Sequence, residues 1–217
     1  NKTRGGVAVV IKNKYRHHVE FQIEEEKLQV CALTVYTVMG KISVAAIYCP
    51  PRENLYKNDF LPLFERMGPR FIIGGDWNAK HTTWGSRLIT PKGRALFDAG
   101  SDFNCEFLSS GEPTYWPSDP DKIPDVLDFF ITKGISRINM RASMSYDLSS
   151  DHTPIHLDLS TKAILVKQRP SLTNKKTDWK KFRLILSASL DERGSIDTTQ
   201  ELENECSDLI RAIETAA

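Results

Sequence analysis

The run Phe71-Ile72-Ile73-Gly74-Gly75-Asp76-Trp77-Asn78 constrains this chain more than any other stretch of it. An apolar, β-branched segment ending in Gly-Gly reads as a strand, and it delivers Asp76 and Asn78 at alternate positions of its C-terminal tip. Glycines at such a tip let a ligand or another backbone approach closely. Downstream, Ser150-Asp151-His152 adds a carboxylate and an imidazole. Carboxylates, a carboxamide and an imidazole are together a set of groups suited to hydrolysing phosphate esters.

The rest of the chain supplies a frame for that strand. Gly6 to Ile11 reads as a buried strand, and Val19 to Ile23 as a second. Leu28 to Val38 alternates with period two and faces Ile42 to Tyr48 across a Met39-Gly40-Lys41 turn, so the two predict a hairpin ended by Cys49-Pro50-Pro51. Tyr56 to Met67 has helical spacing, with Phe60, Leu63, Phe64 and Met67 on one face. Arg70 to Gly75 is the strand that feeds the Asp76 tip, and Lys92 to Asp102 reads as a helix. Glu106 to Ser109, Thr114 to Trp116, Val126 to Thr132, Ile135 to Met144 and Ile155 to Leu159 complete the strands. Strands outnumber helices and several adjoin by short turns, which predicts an α+β or layered α/β sandwich. Near Ser160 the character changes: Gln168-Arg169-Pro170 is linker-like, Asn174 to Lys181 is basic, and Trp179 to Leu190 and Thr199 to Ala216 have amphipathic helical patterns. The reading is therefore a domain over 1–160 and a linker with a helical connector over 161–217.

Composition excludes little beyond this. The 217 residues suffice for one domain with a core and an extension, and the net charge of +1 argues neither for nor against a nucleic-acid partner. Cys31, Cys49, Cys105 and Cys206 are dispersed without a CxxC pair, as for core thiols in a reducing compartment. No stretch approaches the roughly 18 apolar residues of a membrane span. The chain opens without Met on Asn1-Lys2-Thr3-Arg4, as a piece cut from a longer polypeptide would.

Each candidate residue has a plainer reading beside the chemical one. Asp76 alone could be a strand-end turn former; Asn78 beside it on the same face favours a site for water and a phosphoryl oxygen near a hard cation. Asp128 interrupts an apolar strand, where a charge needs a partner, unless its face is exposed. Asp125, beside Pro124, has the look of a turn residue. His152 could be merely structural, but Asp128 is available to fix its tautomer and raise the basicity of the other ring nitrogen. Tyr48, on spacing alone, reads as core.

Taken together, these residues resemble the endonuclease/exonuclease/phosphatase superfamily, with its DNase I-like fold. They are closer still to the endonuclease domain of non-LTR (LINE-type) retrotransposons, in particular the Jockey-like elements of insects. The segments that carry the likeness are Arg4-Gly5-Gly6-Val7-Ala8, Ala46 to Pro51, Gly74 to Ser86, Thr90 to Arg94, Pro124 to Thr132 and Ser150 to Pro154. The resemblance implies a β-sandwich flanked by helices and a Mg²⁺-dependent (or Mn²⁺-dependent) DNA endonuclease that leaves a 3′-hydroxyl to prime reverse transcription. The tail would lead to a reverse transcriptase domain in the same polypeptide, with synthesis in the cytoplasm, action in the nucleus and no membrane.

By the same resemblance Asp76 activates the attacking water and Asn78 holds it. Tyr48 donates to the scissile phosphate, Asp151 lies in the metal site, and His152, oriented by Asp128, stabilises the developing negative charge. Thr114 sits near the DNA backbone, and Lys80, His81, Arg87, Lys92 and Arg94 are candidate DNA contacts, with a solvated loop and helix start as the plain alternative. The family also carries an N-terminal strand with an Asn and then a metal-binding Glu, and no residue here takes those places. The expectation is a domain lacking its N-terminal strands that, on its own, binds metal poorly and cuts slowly or not at all. The rivals are a phosphomonoesterase of the same fold, whose motifs Asp125-Val126-Leu127-Asp128 does not match, and a non-catalytic remnant of a decayed element.

Overall fold

The computed structural model of the chain describes residues 6–145, 150–166, 176–190 and 198–216. Arg4-Gly5 and Gln168-Arg169-Pro170 lie outside these described residues. The chain divides into two compact units, Asn1–Val166 and Lys167–Ala217.

The first unit is built on a six-stranded mixed sheet. Its strands are β1 (His17–Glu24), β2 (Gln29–Thr37), β3 (Gly40–Tyr48), β4 (Phe71–Asp76), β5 (Glu106–Leu108) and β6 (Asp128–Lys133), in the order β1-β2-β3-β4-β6-β5. The β2–β3 hairpin closes where the Thr37 hydroxyl donates to Gly40 O (2.8 Å) and accepts from Met39 N (3.1 Å). Helix α1 (Lys57–Met67) carries the chain from β3 to β4, so these two strands run parallel while all other neighbours are antiparallel. Helix α2 (Pro91–Asp102) follows, with Thr90 capping its start by accepting from Gly93 N (3.1 Å).

Strand alternation sorts the core into two layers. Phe71 and Ile73 of β4, and Phe129 and Ile131 of β6, point to the helices, where Phe60, Leu63, Phe64 and Met67 of α1 meet Trp77 and Trp84. Each of these four α1 side chains is almost wholly buried, a stabilisation of roughly 2 kcal/mol apiece. Ile42, Ile72 and Phe130 point the other way. They are covered by a second, two-stranded sheet, β7 (Met140–Met144) paired with β8 (Ile155–Leu159), through Met140, Ala142, Leu157 and Leu159.

Three sequence expectations change. Gly6 to Ile11 is not a strand, and Val10 is 96% exposed. Ala8 to Val10 lie across the face of β3 and β4, around a cavity of about 580 Å³ that Val44, Ile72 and Phe130 also line. Both of those strands are interior, so a segment on their face finds no free ladder to join. Thr114 to Trp116 shrinks to a single bridging residue, Tyr115, because Pro113 and Pro117 flank it and lack N–H donors. Finally, β6 starts at Asp128, leaving Val126 and Leu127 buried ahead of the ladder. Asp128 is therefore the first residue of β6 and stands at the mouth of the sheet, not in the middle of a strand.

Beyond β8, Ala163 bridges to Thr37 and Leu165 to Tyr15, which ties residues expected in the connector to the first unit. The second unit holds α3 (Trp179–Leu190) and α4 (Thr199–Ala216), with Trp179 edge-on to Phe182 at 5.6 Å and Ala212 buried.

Candidate active site

The register of three strands lines up one polar row. Tyr48 of β3 is opposite Asp76 of β4, and Asp76 is opposite Asp128 of β6. Residues directly opposite share a face, and these three lie on the face of Ile72 and Phe130, at the end of the sandwich. Gly75 makes this register possible. At φ 150° its missing Cβ would sit 2.1 Å from Ile47 O, so the close approach that the glycine pair announces is that of β3 itself.

Asn78 joins Asp76 by a route other than strand periodicity. The chain turns at Asn78 (φ 44°), whose N–H donates to Asp76 Oδ1 (3.0 Å) and whose Nδ2 donates to Asp76 Oδ2 (2.7 Å) and Cys49 O (3.1 Å). The left-handed conformation suits Asn better than most residues. Burial first, and the Asp128 charge second, push the Asp76 carboxyl up to about 6, against the stabilising pull of His152 and Asn78. Burial, then the charge of Asp76, raise the Tyr48 phenol above its ordinary value.

His152 completes the row from the segment that leads into β8. Its Nδ1 donates to Asp128 Oδ2 at 2.8 Å, and this bond, chiefly, holds the imidazole above its ordinary value. A carboxylate only accepts, so Nδ1 carries the hydrogen and Nε2 is the nitrogen left for another partner. The loop is fixed by Thr153 N donating to Thr114 O (2.7 Å), Trp116 N to Asp151 O (2.7 Å) and Trp116 Nε1 to Thr153 Oγ1 (2.9 Å). A carboxylate held by an amide and a carboxylate-oriented imidazole thus lie in one row: a proton acceptor beside a hydrogen-bond donor.

The other sequence candidates fall elsewhere. Thr114 is fully buried and cannot touch DNA; its Oγ1 accepts from Leu127 N (2.9 Å) and Asp128 N (2.8 Å) and so seats Asp128. His81 is 7% exposed, stacks on Phe97 (4.4 Å between ring centres) and accepts from Thr83 N through Nδ1, and burial lowers its pKa. It is a neutral core residue, not a surface cation. Lys92 is buried too, its Nζ donating to Pro50 O (2.7 Å). Lys80, Arg87 and Arg94 remain at least partly exposed, and Asp151 is exposed beside His152. Among the described residues no group of three or more His, Cys, Asp or Glu forms a metal cluster. Sequence reasoning passed over Asp125, which is not a turn residue but a buried carboxylate paired with Lys80 (2.9 Å). Its signal was the apolar Val126-Leu127 directly after it.

Residues 42–156 match the profile of a family described as "Endonuclease-reverse transcriptase". Over its whole length the chain is 32% identical to "Probable RNA-directed DNA polymerase from transposon BS" of Drosophila melanogaster, and it covers 24% of that protein. It is 31% identical, over 99% of its length, to "RNA-directed DNA polymerase from mobile element jockey" of Drosophila funebris, again covering 24%. The chain thus spans about a quarter of the length of these curated relatives. Among solved structures, the "Endonuclease domain of TRAS1, a telomere-specific non-LTR retrotransposon" superposes with a TM-score of 0.53 at 24% identity, over 60% of this chain and 63% of that one. The mixed sheet with flanking helices is therefore the DNase I-like fold, followed here by a helical tail.

Proposed function

We infer the activity of this chain from the family to which it belongs, the endonuclease-reverse transcriptase family, as the endonuclease domain of a non-LTR retrotransposon. It hydrolyses phosphodiester bonds in double-stranded DNA, nicking a chromosomal target in the nucleus so that the freed 3′-hydroxyl primes reverse transcription. A reverse transcriptase in the same polypeptide takes up that end. The observation that carries the reading is the convergence of four residues: Asp76 opposite Asp128 in the sheet, Asn78 bonded to Asp76, and His152 bonded to Asp128 from the segment before β8.

The roles follow from the geometry. Asp76, ionised above a pKa of about 6 and held by Asn78, takes the proton of the attacking water. His152, protonated and aimed by Asp128, donates through Nε2 to an oxygen of the phosphate as charge develops there. Tyr48 stands in the same row, its O–H suited to a non-bridging phosphate oxygen.

The donor set fits a hard divalent cation. Asp76 and Asp128 lie opposite each other in neighbouring strands, and after burial the Asp128 charge is what raises Asp76, a repulsion that an oxygen-bound cation such as Mg²⁺ would relieve. Asp151 would hold it, with Mn²⁺ as a substitute, and the bound ion would neutralise phosphate charge. Cutting by this chain alone is weak or absent. Nicking of supercoiled plasmid with Mg²⁺ tests both statements. Slow nicking, lost in Asp76→Ala and His152→Ala, is the expected result. Nicking undiminished in both variants refutes the assignment, and fast nicking by the parent chain refutes weak cutting.

A further inference from the structure

Asp125 has no part in that chemistry, yet its side chain is only 1% exposed. A buried charge is costly unless paired. Asp125 Oδ2 lies 2.9 Å from Lys80 Nζ and 3.9 Å from Arg87 Nε, while Oδ1 accepts from Val126 N (2.9 Å) and Arg87 N (3.3 Å). Both cations are also fixed at the backbone. Lys80 N donates to Thr90 Oγ1 (3.2 Å), Lys80 O accepts from Thr90 N (3.0 Å), and Gly93 has no Cβ because one would lie 1.8 Å from Lys80 O.

Their outer ends stay in reach. The side chains of Lys80 and Arg87 are 28% and 48% exposed. They line a cleft of about 530 Å³ that Asn78 borders at one end, with Tyr115 and Lys122 on its walls and Asp121 as its one lining carboxylate. Arg87 meets Asp125 through Nε, and its half-exposed side chain lines the cleft. A carboxylate set between two cations cancels their mutual repulsion and fixes their spacing.

We propose that Asp125 is a positioning residue that holds Lys80 and Arg87 as a paired clamp on backbone phosphates of the DNA strand running along this cleft from Asn78. The clamp rests on the DNA-cleaving reading of the neighbouring site. Its sign is unusual. Replacing Asp125 by Asn adds one positive charge to a DNA-facing wall, which by charge alone tightens binding; a lost clamp weakens it.

Fluorescence anisotropy on a labelled duplex, across a salt series and without divalent metal so that nothing is cut, separates the two. Lys80→Met and Arg87→Met should each weaken binding and lower the slope of log Kd against log salt by about 0.9. Asp125→Asn, whose Oδ1 still accepts from Val126 N and Arg87 N, should weaken binding about fivefold with its thermal midpoint near that of the parent chain. Binding as tight or tighter in Asp125→Asn overturns the proposal. Should that variant fail to fold, unchanged affinity and slope in both cation variants overturn it instead. No affinity of the parent chain for duplex would overturn the DNA reading itself, a distinguishable result.

Discussion

Thr114→Val is a near-isosteric change at a residue with no exposure, so it tests one hydroxyl and little else. That hydroxyl accepts from two backbone donors, Leu127 N at 2.9 Å and Asp128 N at 2.8 Å. Leaving a buried N–H without an acceptor costs ~1–3 kcal/mol. Leu127 N is deeply buried and Asp128 N only partly, so the pair should cost about 2–4 kcal/mol. At roughly 2–4 °C per kcal/mol for a chain of this size, the midpoint falls by about 4–16 °C. Thr114→Ser keeps the oxygen and loses a methyl, at about 1 kcal/mol. Urea denaturation of the three chains gives the comparison. A Val variant within about 0.5 kcal/mol of the parent would refute the reasoning, because a surface-like outcome is incompatible with two orphaned donors. Nicking should fall with stability in the Val variant even where it remains folded, since Asp128 would no longer be seated against His152.

Two further outcomes follow from packing. His81 is buried neutral with Nδ1 accepting from Thr83 N, and its folded pKa lies below the unfolded value near 6.5. Below that pH the unfolded chain binds the proton more readily, so the stability contributed by the neutral ring is present above pH 6.5 and lost as pH falls toward the folded value. His81→Asn, which keeps a capping acceptor, should lower stability overall yet flatten the acid slope in denaturant midpoints measured below pH 6.5; an unchanged slope assigns that loss to other groups. Gly75→Ala places a Cβ 2.1 Å from Ile47 O at φ 150° and should cost about 3 kcal/mol or more by urea denaturation, whereas a loss below 1 kcal/mol would mean that β3 and β4 can separate locally without harm.

Much of this could be read from residue order because the informative segments are short and strongly patterned. The hairpin turn at Met39-Gly40, the apolar face of α1 and the helices of the tail all follow from local periodicity. Asp76 and Asp128 were visible as charges attached to apolar strands. What escaped depends on neighbours remote in sequence. Val7 to Ile11 has strand composition, but a ladder needs a free edge and β3 and β4 offer none. Asn78 meets Asp76 through a left-handed turn that alternation does not describe. His81, Lys92 and Thr114 are polar residues taken into the interior by partners more than two turns of chain away or by aromatic stacking. Polarity alone marked them for the surface.

The row Tyr48–Asp76–Asp128, closed by His152, draws one residue from each of four separate stretches of chain. None of the contacts that define it is local, so the row is whole only when all four stretches are in place. A ribosome-bound chain that has released β4 carries Asp76 and Tyr48 but not Asp128, and one that has released β6 still lacks the imidazole. The row is thus completed in a single late step, when the segment leading into β8 docks, and a half-made molecule holds only part of it.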